Sequence, residues 1–227
     1  MTVGRRPRSA RGSGAALRDE ILAATRELLA HTGNADAVSI RAVSRRVGVS
    51  APSIYRHFAD KDALIDLVVA QVFENLDAAI AAATDPDVSP IERMRAQGLA
   101  YVRFALDHPG QYRIATAGGT RNRPRAVDQV LGSSVFRRMS RTVREAMDAG
   151  VLAAGDPLPV VLQMWASAHG IVSLMIAKPD LPWGDPETVA DKALAAACVG
   201  RAVLDSMGGD PTVDETVRWL VGLREAD

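Results

Sequence analysis

A run of hydroxyl, basic and aromatic side chains between residues 38 and 61 is the part of this chain best suited to bind a charged partner. Gly48 divides the run, and Ser50 and Pro52 follow where a second short helix is expected to begin. Serine is a favoured N-cap, and proline in the first helical turn loses no intrahelical hydrogen bond. Two short helices around a glycine turn are typical of a helix-turn-helix motif, whose second helix enters the DNA major groove. The spacing predicts such a motif over about residues 38–57.

The side chains of this run divide into two kinds of expected DNA contact. Ser53 can hydrogen-bond a base or a phosphate, and Ala51 can pack on a thymine methyl group. Longer donors are suited to phosphate contacts that fix position without reading sequence: Tyr55, Arg56, His57 and Lys61. The alternatives, a core aromatic for Tyr55 and a surface or helix-end residue for His57, stay open. The full set of predicted DNA-contacting residues is Ser39, Arg41, Ser50, Ala51, Pro52, Ser53, Tyr55, Arg56, His57 and Lys61.

The charge of the chain is divided unevenly along its length. The formal net charge is zero, with 27 basic and 27 acidic side chains. Residues 1–62 contain 11 basic and 6 acidic side chains, a net charge of +5, so the remainder carries −5. A basic N-terminal part joined to an acidic body predicts a phosphate-binding module and a second domain with another task.

The elements that must position these residues are expected to be helical throughout. Apolar residues recur at helical spacing, and no alternating strand pattern occurs. We predict a disordered basic arm at residues 1–14, a three-helix domain at 15–75 and a second helical domain at 84–227. The fold class is therefore all-α. Helices are expected near 15–31, from Ser39 to Gly48, and near 51–57, 61–83, 88–107, 109–116, 125–149, 157–178, 186–207 and 212–225. Ser39 and Asp60 are expected to be the N-caps of the helices that they precede.

Several classes of protein are not favoured by the composition. The single cysteine, Cys198, excludes an intramolecular disulfide and fits a reducing compartment. No apolar run is judged to approach the roughly 18–20 residues of a membrane span, and no secretory signal is recognised, so we expect a cytoplasmic protein without a membrane partner. The four histidines lie too far apart for a local metal motif, and neither a phosphate loop nor a nucleophile elbow occurs. No catalytic residue, metal or cofactor is expected, and the protein is not predicted to be an enzyme.

The stretch from Leu17 to Phe73 resembles the tetracycline-repressor (TetR) family of transcriptional regulators. The resemblance is most specific in Val47 to Ser50, Ile54 to Phe58 and Asp60 to Leu64. It implies a homodimer that binds a palindromic double-stranded DNA operator through paired recognition helices. It also implies a C-terminal domain that holds a small-molecule effector and forms the dimer interface.

The resemblance assigns roles to individual positions of the motif. Ser39, Tyr55, His57 and Lys61 match phosphate contacts, and Ser50 to Ser53 match the base-reading segment. Pro52 departs from the family pattern, in which many members have glycine at this position. The approach of the second helix to the groove is therefore expected to differ from theirs.

The C-terminal part resembles a subgroup named for a Trp-His-Gly pattern. The similarity rests on residues 101–113 and on Trp165, His169 and Gly170. Trp165 and His169 are four residues apart and share a helical face. We expect either a packed pair in the core or dimer seam, or part of an effector site. The candidate effector-binding residues are Phe104, Tyr112, Met139, Trp165 and His169.

These expectations combine into one functional hypothesis with one rival. The protein is predicted to be a ligand-responsive repressor that binds its operator as a dimer and is released by a small lipophilic effector. Helices 157–178 and 186–207 are expected to form a four-helix bundle with a second subunit. The recognition helices then need centres about 34–36 Å apart, or a multiple of that distance. The alternative is a helical small-molecule-binding protein without DNA-binding activity.

Overall fold

The computed structural model describes residues 13–116 and 133–225, and all regular structure within these residues is helical. We number the α-helices in chain order, and a short 3₁₀ turn at Ala35–Ala37 lies between the first two. Their bounds are α1 Ser13–Thr32, α2 Ile40–Val47, α3 Ala51–Tyr55, α4 Lys61–Ala83, α5 Pro90–Asp107, α6 Pro109–Thr116, α7 Ser134–Asp148, α8 Leu158–Ala177, α9 Pro186–Met207 and α10 Val213–Glu225. The all-α prediction is confirmed.

Most predicted helices have the expected positions, and three differences are informative. The helices predicted at 61–83, 109–116 and 186–207 have those bounds. Helix α1 begins at Ser13, inside the predicted arm, whose residues 1–12 lie outside the described residues. The helix predicted at 125–149 is described from Ser134 to Asp148 only, because residues 125–132 also lie outside the described part.

The third difference is that the recognition helix α3 is shorter than predicted. It ends at Tyr55 instead of residue 57, and Arg56 is its C-cap. The His57 backbone N–H donates to the Ile54 carbonyl oxygen at 2.9 Å, three residues back. This tighter i to i−3 bond replaces the α-helical one, as is common in a last turn.

The chain forms two compact units. The N-terminal unit comprises Met1–Asn75 and Asp107–Ser133, and the C-terminal unit comprises Leu76–Leu106 and Ser134–Asp227. The predicted domain bounds, 15–75 and 84–227, place α6 in the second domain, whereas the structure groups it with the first. Helix α6 packs against α1 within the N-terminal unit.

The core of the N-terminal unit holds the recognition helix in place. Within the described residues, its buried side chains come from α1, α2, α3, α4 and α6 and from the segments that join them, and they exclude water almost completely. Burying an aliphatic side chain contributes roughly 1.5–3 kcal/mol to folding. The members with less than 5% exposure are Ile21, Leu29, Val38, Val43, Ile54, Phe58, Leu64, Ile65, Val68, Val72 and Ile114.

The C-terminal unit has a separate core, in which α8 packs against α7 and α9. Gly98 of α5 allows the close approach of Leu194 of α9, because an added Cβ would lie only 3.0 Å from a Leu194 methyl carbon. A bidentate ion pair supports the same unit: Arg138 of α7 donates from Nε at 2.7 Å to Asp77 of α4, and from a second nitrogen at 3.1 Å. Asp77 raises the pKa of Arg138, so this arginine stays charged.

Helix α8 corrects the prediction that no apolar run approaches the length of a membrane span. The 20 residues Leu158–Ala177 are long and apolar enough to cross a membrane by length and composition. Polar residues such as Gln163 and His169 interrupt the strictly apolar run, but the helix as a whole is apolar on average. A core helix of a soluble protein meets the same criterion, and α8 contributes several buried side chains to its unit.

Candidate nucleic-acid interface

The turn between α2 and α3 is fixed by Gly48. This residue has φ of 77° and ψ of 32°, the left-handed conformation that glycine adopts without steric cost. Its N–H donates to the Ser44 carbonyl oxygen at 2.9 Å, and the Val49 N–H donates to the same oxygen at 3.1 Å. The two hydrogen bonds close the end of α2 and direct the chain into α3. The predicted helix-turn-helix geometry is confirmed.

Burial of Ile54 sets which side of α3 faces outward. Ile54 has no exposed surface and Phe58 has 3%, and both belong to the N-terminal core. Tyr55, the next residue along the helix, is therefore turned away from the core and is 52% exposed. The interpretation of Tyr55 as a core aromatic is wrong. Ser53 and His57 are half-buried, so the described surface leaves all three side chains accessible.

The start of α3 contains a hydrogen bond that the sequence did not predict. Ser50 is the N-cap residue, but its side chain makes no capping bond. Its hydroxyl oxygen lies 2.9 Å from that of Ser53, and Arg56 donates from a terminal guanidinium nitrogen to the Ser53 hydroxyl at 3.2 Å. The Ser50 hydroxyl therefore does not cap α3 as expected. Instead, Ser50, Ser53 and Arg56 form a row of hydrogen-bonded side chains. Ala51 and Pro52 form the first turn, and the Pro52 ring is exposed.

Ser39 caps α2 as predicted. Its hydroxyl accepts a hydrogen bond from the Ala42 backbone N–H at 3.1 Å, and Ser39 itself is exposed. The helix N-terminus that it caps carries a partial positive charge and unpaired N–H groups, which suit a phosphate. Arg41 follows in the first turn and is also exposed. Both residues meet the accessibility that DNA contact requires.

Lys61 has a partner within the protein. Its Nζ donates to the Ala35 carbonyl oxygen at 3.3 Å, which ties the start of α4 to the 3₁₀ turn. Asp60 caps α4, since its carboxylate accepts from the Ala63 N–H at 2.7 Å. Lys61 is half-buried, and its phosphate contact stays a prediction. Arg46, by contrast, is exposed and forms an ion pair with Glu27 of α1.

The beginning of α1 lies against the recognition segment, which sequence reasoning missed. A Cβ added at Gly14 would lie 4.0 Å from a carbon of the His57 imidazole. Arg18, one turn later, places its guanidinium 5.4 Å from the centre of the Phe58 ring, within reach of a cation–π interaction. No local pattern marks Arg18, because the contact joins residues 40 positions apart.

The C-terminal unit brings two of the candidate effector residues together with two that were not predicted. The Tyr101 hydroxyl lies 3.1 Å from His169 Nδ1. The Trp165 ring centre is 5.6 Å from that of His169 and 5.4 Å from that of Phe136, the latter in an edge-to-face arrangement. Burial lowers the pKa of His169, which favours its neutral form. Both the packed-pair and the effector interpretations of Trp165 and His169 remain compatible with this cluster.

The remaining effector candidates are placed differently. Phe104 of α5 is buried and Met139 of α7 is half-buried, both in the C-terminal unit. Tyr112 is buried on α6 and belongs to the N-terminal unit. A usable signal for the two missed residues was helical spacing: Tyr101 and Phe136 each lie three residues before a chosen candidate, Phe104 and Met139.

Two family descriptions match the chain, one in each part. Residues 21–68 match "Bacterial regulatory proteins, tetR family", and residues 94–197 match "Tetracyclin repressor-like, C-terminal domain". Together they span about two thirds of the sequence. The chain therefore belongs to the tetR family of DNA-binding transcriptional regulators.

Individual proteins show the same relationship. The chain is 26% identical over 144 residues to the nucleoid occlusion factor SlmA of Vibrio cholerae, which covers 63% of this chain and 72% of that protein. A protein of unknown function from Rhodococcus sp. RHA1 is 30% identical in sequence and aligns with a TM-score of 0.66, over 82% of this chain and 95% of that one. A TetR family transcription regulator from Marinobacter aquaeolei VT8 aligns with a TM-score of 0.65 at 18% identity, over 83% and 98% of the two chains. At 18% identity, the alignment with the Marinobacter aquaeolei regulator supports the fold alone.

Proposed function

We propose that this regulator is a repressor that binds a palindromic operator as a homodimer and leaves it when a small lipophilic effector binds. The observation that carries the DNA-binding part is the outward face of α3. Tyr55 and Arg56 are exposed beside Ser53 and His57, while Ile54 fixes the opposite face in the core. Serine, tyrosine, arginine and histidine all donate hydrogen bonds to phosphate or base oxygens.

The test of the DNA-binding face uses a double-stranded site selected from a random DNA pool by the unmodified protein. Replacing Tyr55 and His57 by alanine should weaken binding to this site by tenfold or more, on the order of 1.4 kcal/mol, while the oligomeric state is unchanged. His31→Ala is the matched control, because His31 is exposed near the other end of α1, roughly 25 Å along the helix from Gly14. Equal binding by the double variant and the control would contradict the assigned face.

The homodimer is supported by apolar side chains that the C-terminal unit leaves uncovered. The structure buries some of the large apolar residues of α8 and α9 and leaves others exposed. Val160, Val161, Met164, Met175 and Leu194 are buried within the unit. Leu162, Leu174, Val199 and Leu204 are 39%, 54%, 60% and 37% exposed, and Ile171 and Val203 are half-buried. Exposed apolar residues grouped on two packed helices are typical of an interface with a second subunit.

The effector proposal rests on the aromatic cluster of the C-terminal unit. Phe136 and Trp165 supply apolar surface, and Tyr101 and His169 supply a polar pair beside Trp165; Phe104 is buried in the same unit. Mostly apolar linings with a few polar groups are typical of small-molecule sites. An effector binding there can release DNA only if it prefers the dimer shape that does not match the groove spacing. Assignment of this domain to the Trp-His-Gly subgroup is part of the same proposal.

The rival function, a helical binding protein without DNA-binding activity, makes a different prediction for the same experiment. A protein without DNA-binding activity would select no common sequence from the random DNA pool. Recovery of a palindromic site with half-sites about one DNA turn apart supports the repressor, and the genes beside that site in the genome identify its targets. We place the protein in the cytoplasm, where its DNA partner is found.

A further inference from the structure

A hydrogen bond directs Arg56 toward the start of its own helix. The residue is exposed at the end of α3, and its guanidinium turns back along the helix to donate to Ser53 at 3.2 Å. The Ser53 hydroxyl in turn lies 2.9 Å from the Ser50 hydroxyl. These three side chains, spaced three residues apart, form a hydrogen-bonded line that we call the Ser-Ser-Arg row.

The row lies where base edges are read in a helix-turn-helix protein. Ser50 and Ser53 belong to the start of the recognition helix, the part that reaches base edges in the major groove. The guanidinium is therefore directed toward the base-reading segment by its bond to Ser53. A guanidinium also pairs bidentately with a phosphate, so the two roles are separated by their dependence on DNA sequence.

The chemistry of guanidinium favours one base. Guanine presents two acceptors, O6 and N7, on its major-groove edge, and a guanidinium fork donates to both at once. Arginine has five N–H donors, and the bond to Ser53 occupies one of them. A side chain already fixed in one rotamer loses less conformational freedom when it binds.

We propose that Arg56 reads a guanine in each operator half-site, with Ser53 and Ser50 as the residues that position it. This assignment replaces the phosphate contact expected for Arg56 from sequence. It rests on the proposed operator binding, and it adds the residue and the base that determine specificity.

The test compares the unmodified protein, Arg56→Lys and Arg56→Ala on DNA. The unmodified protein first selects its site from a random pool, and each base pair of that site is then replaced in turn. We expect one guanine per half-site whose replacement weakens binding by roughly 5- to 150-fold for the unmodified protein. Both variants should lose this preference, because lysine keeps the charge but lacks the planar fork. Helical circular dichroism checks that the variants are folded.

Arg45→Ala provides the matched control for loss of one positive charge. Arg45 is exposed on α2 in the same motif and lies outside the row. Its replacement should leave the guanine preference intact. A phosphate-binding Arg56 would behave differently from the proposal: Arg56→Ala would weaken all sequences equally with a shallower salt dependence, and Arg56→Lys would bind almost normally. Either of these results would overturn the inference.

The positioning role of Ser53 has its own readout. Ser53→Ala should reduce the guanine preference of the unmodified protein, and it should change nothing at that base pair when Arg56 is already alanine. Additive effects of the two substitutions would show that Ser53 acts independently of Arg56 and would contradict its positioning role. If the unmodified protein selects no site at all, the proposed function fails; if it selects a site that the Arg56 variants still read, only this inference fails.

Discussion

The two units expose side chains of opposite chemistry on the surfaces proposed to bind partners. On the N-terminal unit these are hydroxyl, imidazole and guanidinium groups around α3, beside an exposed tyrosine. On the C-terminal unit they are aliphatic side chains of α8 and α9, with Val199 60% exposed. Exposure alone does not distinguish the surfaces. Their chemistry indicates a hydrated, charged partner for the first and an apolar partner for the second.

The largest expected difference between the two surfaces is in how strongly salt weakens the binding of their partners. Each phosphate contact releases condensed counterions, so affinity for the selected DNA site should fall by about 10³- to 10⁵-fold between 50 and 200 mM salt if 6–10 phosphates are contacted by the dimer. The dimer dissociation constant should change little, because the proposed seam is apolar. Fluorescence anisotropy on labelled DNA and sedimentation equilibrium measure the two responses. A flat DNA response, or a dimer that dissociates as salt is added, would reverse the assignment of the surfaces.

Charge placed in the α8–α9 surface tests the second half of the comparison. Leu174→Glu combined with Val199→Glu should weaken the dimer by about 100-fold or more, because two carboxylates from each subunit must then be buried in an apolar seam. Both side chains are more than half exposed in the single chain, so the fold of each subunit should be retained. Sedimentation velocity reports the loss of dimer.

Leu67→Glu is the matched control for the seam variant. Leu67 is a leucine of the N-terminal unit that is 42% exposed, so the same chemical change is made away from α8 and α9. It should leave the dimer unaffected. A seam variant that remains dimeric at the concentrations where the control does would place the interface elsewhere.

The sequence predicted local structure well where one residue type determines the outcome. Gly48 marks the turn because few other residues adopt positive φ, and Ser39 and Asp60 cap helices through bonds to residues three positions ahead. Contacts between distant residues could not be predicted in this way. The approach of Gly14 to His57, the bond from Lys61 to Ala35 and the pairing of Tyr101 with His169 depend on tertiary packing. Ser50 is an intermediate case. The sequence correctly marks it as the N-cap residue of α3, but its hydroxyl lies beside that of Ser53 and makes no capping bond.

The cap of α2 offers a way to separate stability from DNA binding within the N-terminal unit. Ser39→Ala removes the acceptor of the Ala42 N–H and should lower the free energy of unfolding by about 0.5–2 kcal/mol, together with DNA affinity. Ser39→Asp restores an acceptor and should recover the stability, but its negative charge should repel the phosphate. Urea denaturation and anisotropy measure the two quantities. Recovery of DNA affinity in the aspartate variant would contradict a phosphate at this helix end.

The smallest expected effect concerns His169 and is confined to the C-terminal unit. Burial lowers the pKa of His169 in the folded protein, so the unfolded chain takes up a proton first as the pH falls. Above the unfolded value, about 6.5, both states are neutral and this residue contributes no pH dependence. Below it the unfolded state binds more protons, so the free energy of unfolding should decrease until the pH falls below the folded pKa.

His169→Gln isolates this dependence, because glutamine can hydrogen-bond to Tyr101 without titrating. The difference in unfolding free energy between the unmodified protein and the variant should be constant from pH 8 to 7 and should shift against the unmodified protein between about pH 6.5 and 5.5. Taking the difference cancels the other titrating groups, which both proteins share. If the shift instead favoured the unmodified protein at low pH, the folded imidazole would be stabilised as a cation. The cluster around Tyr101 and Trp165 would then attract an anionic effector, and the contrast between a charged N-terminal surface and an apolar C-terminal unit would have to be abandoned.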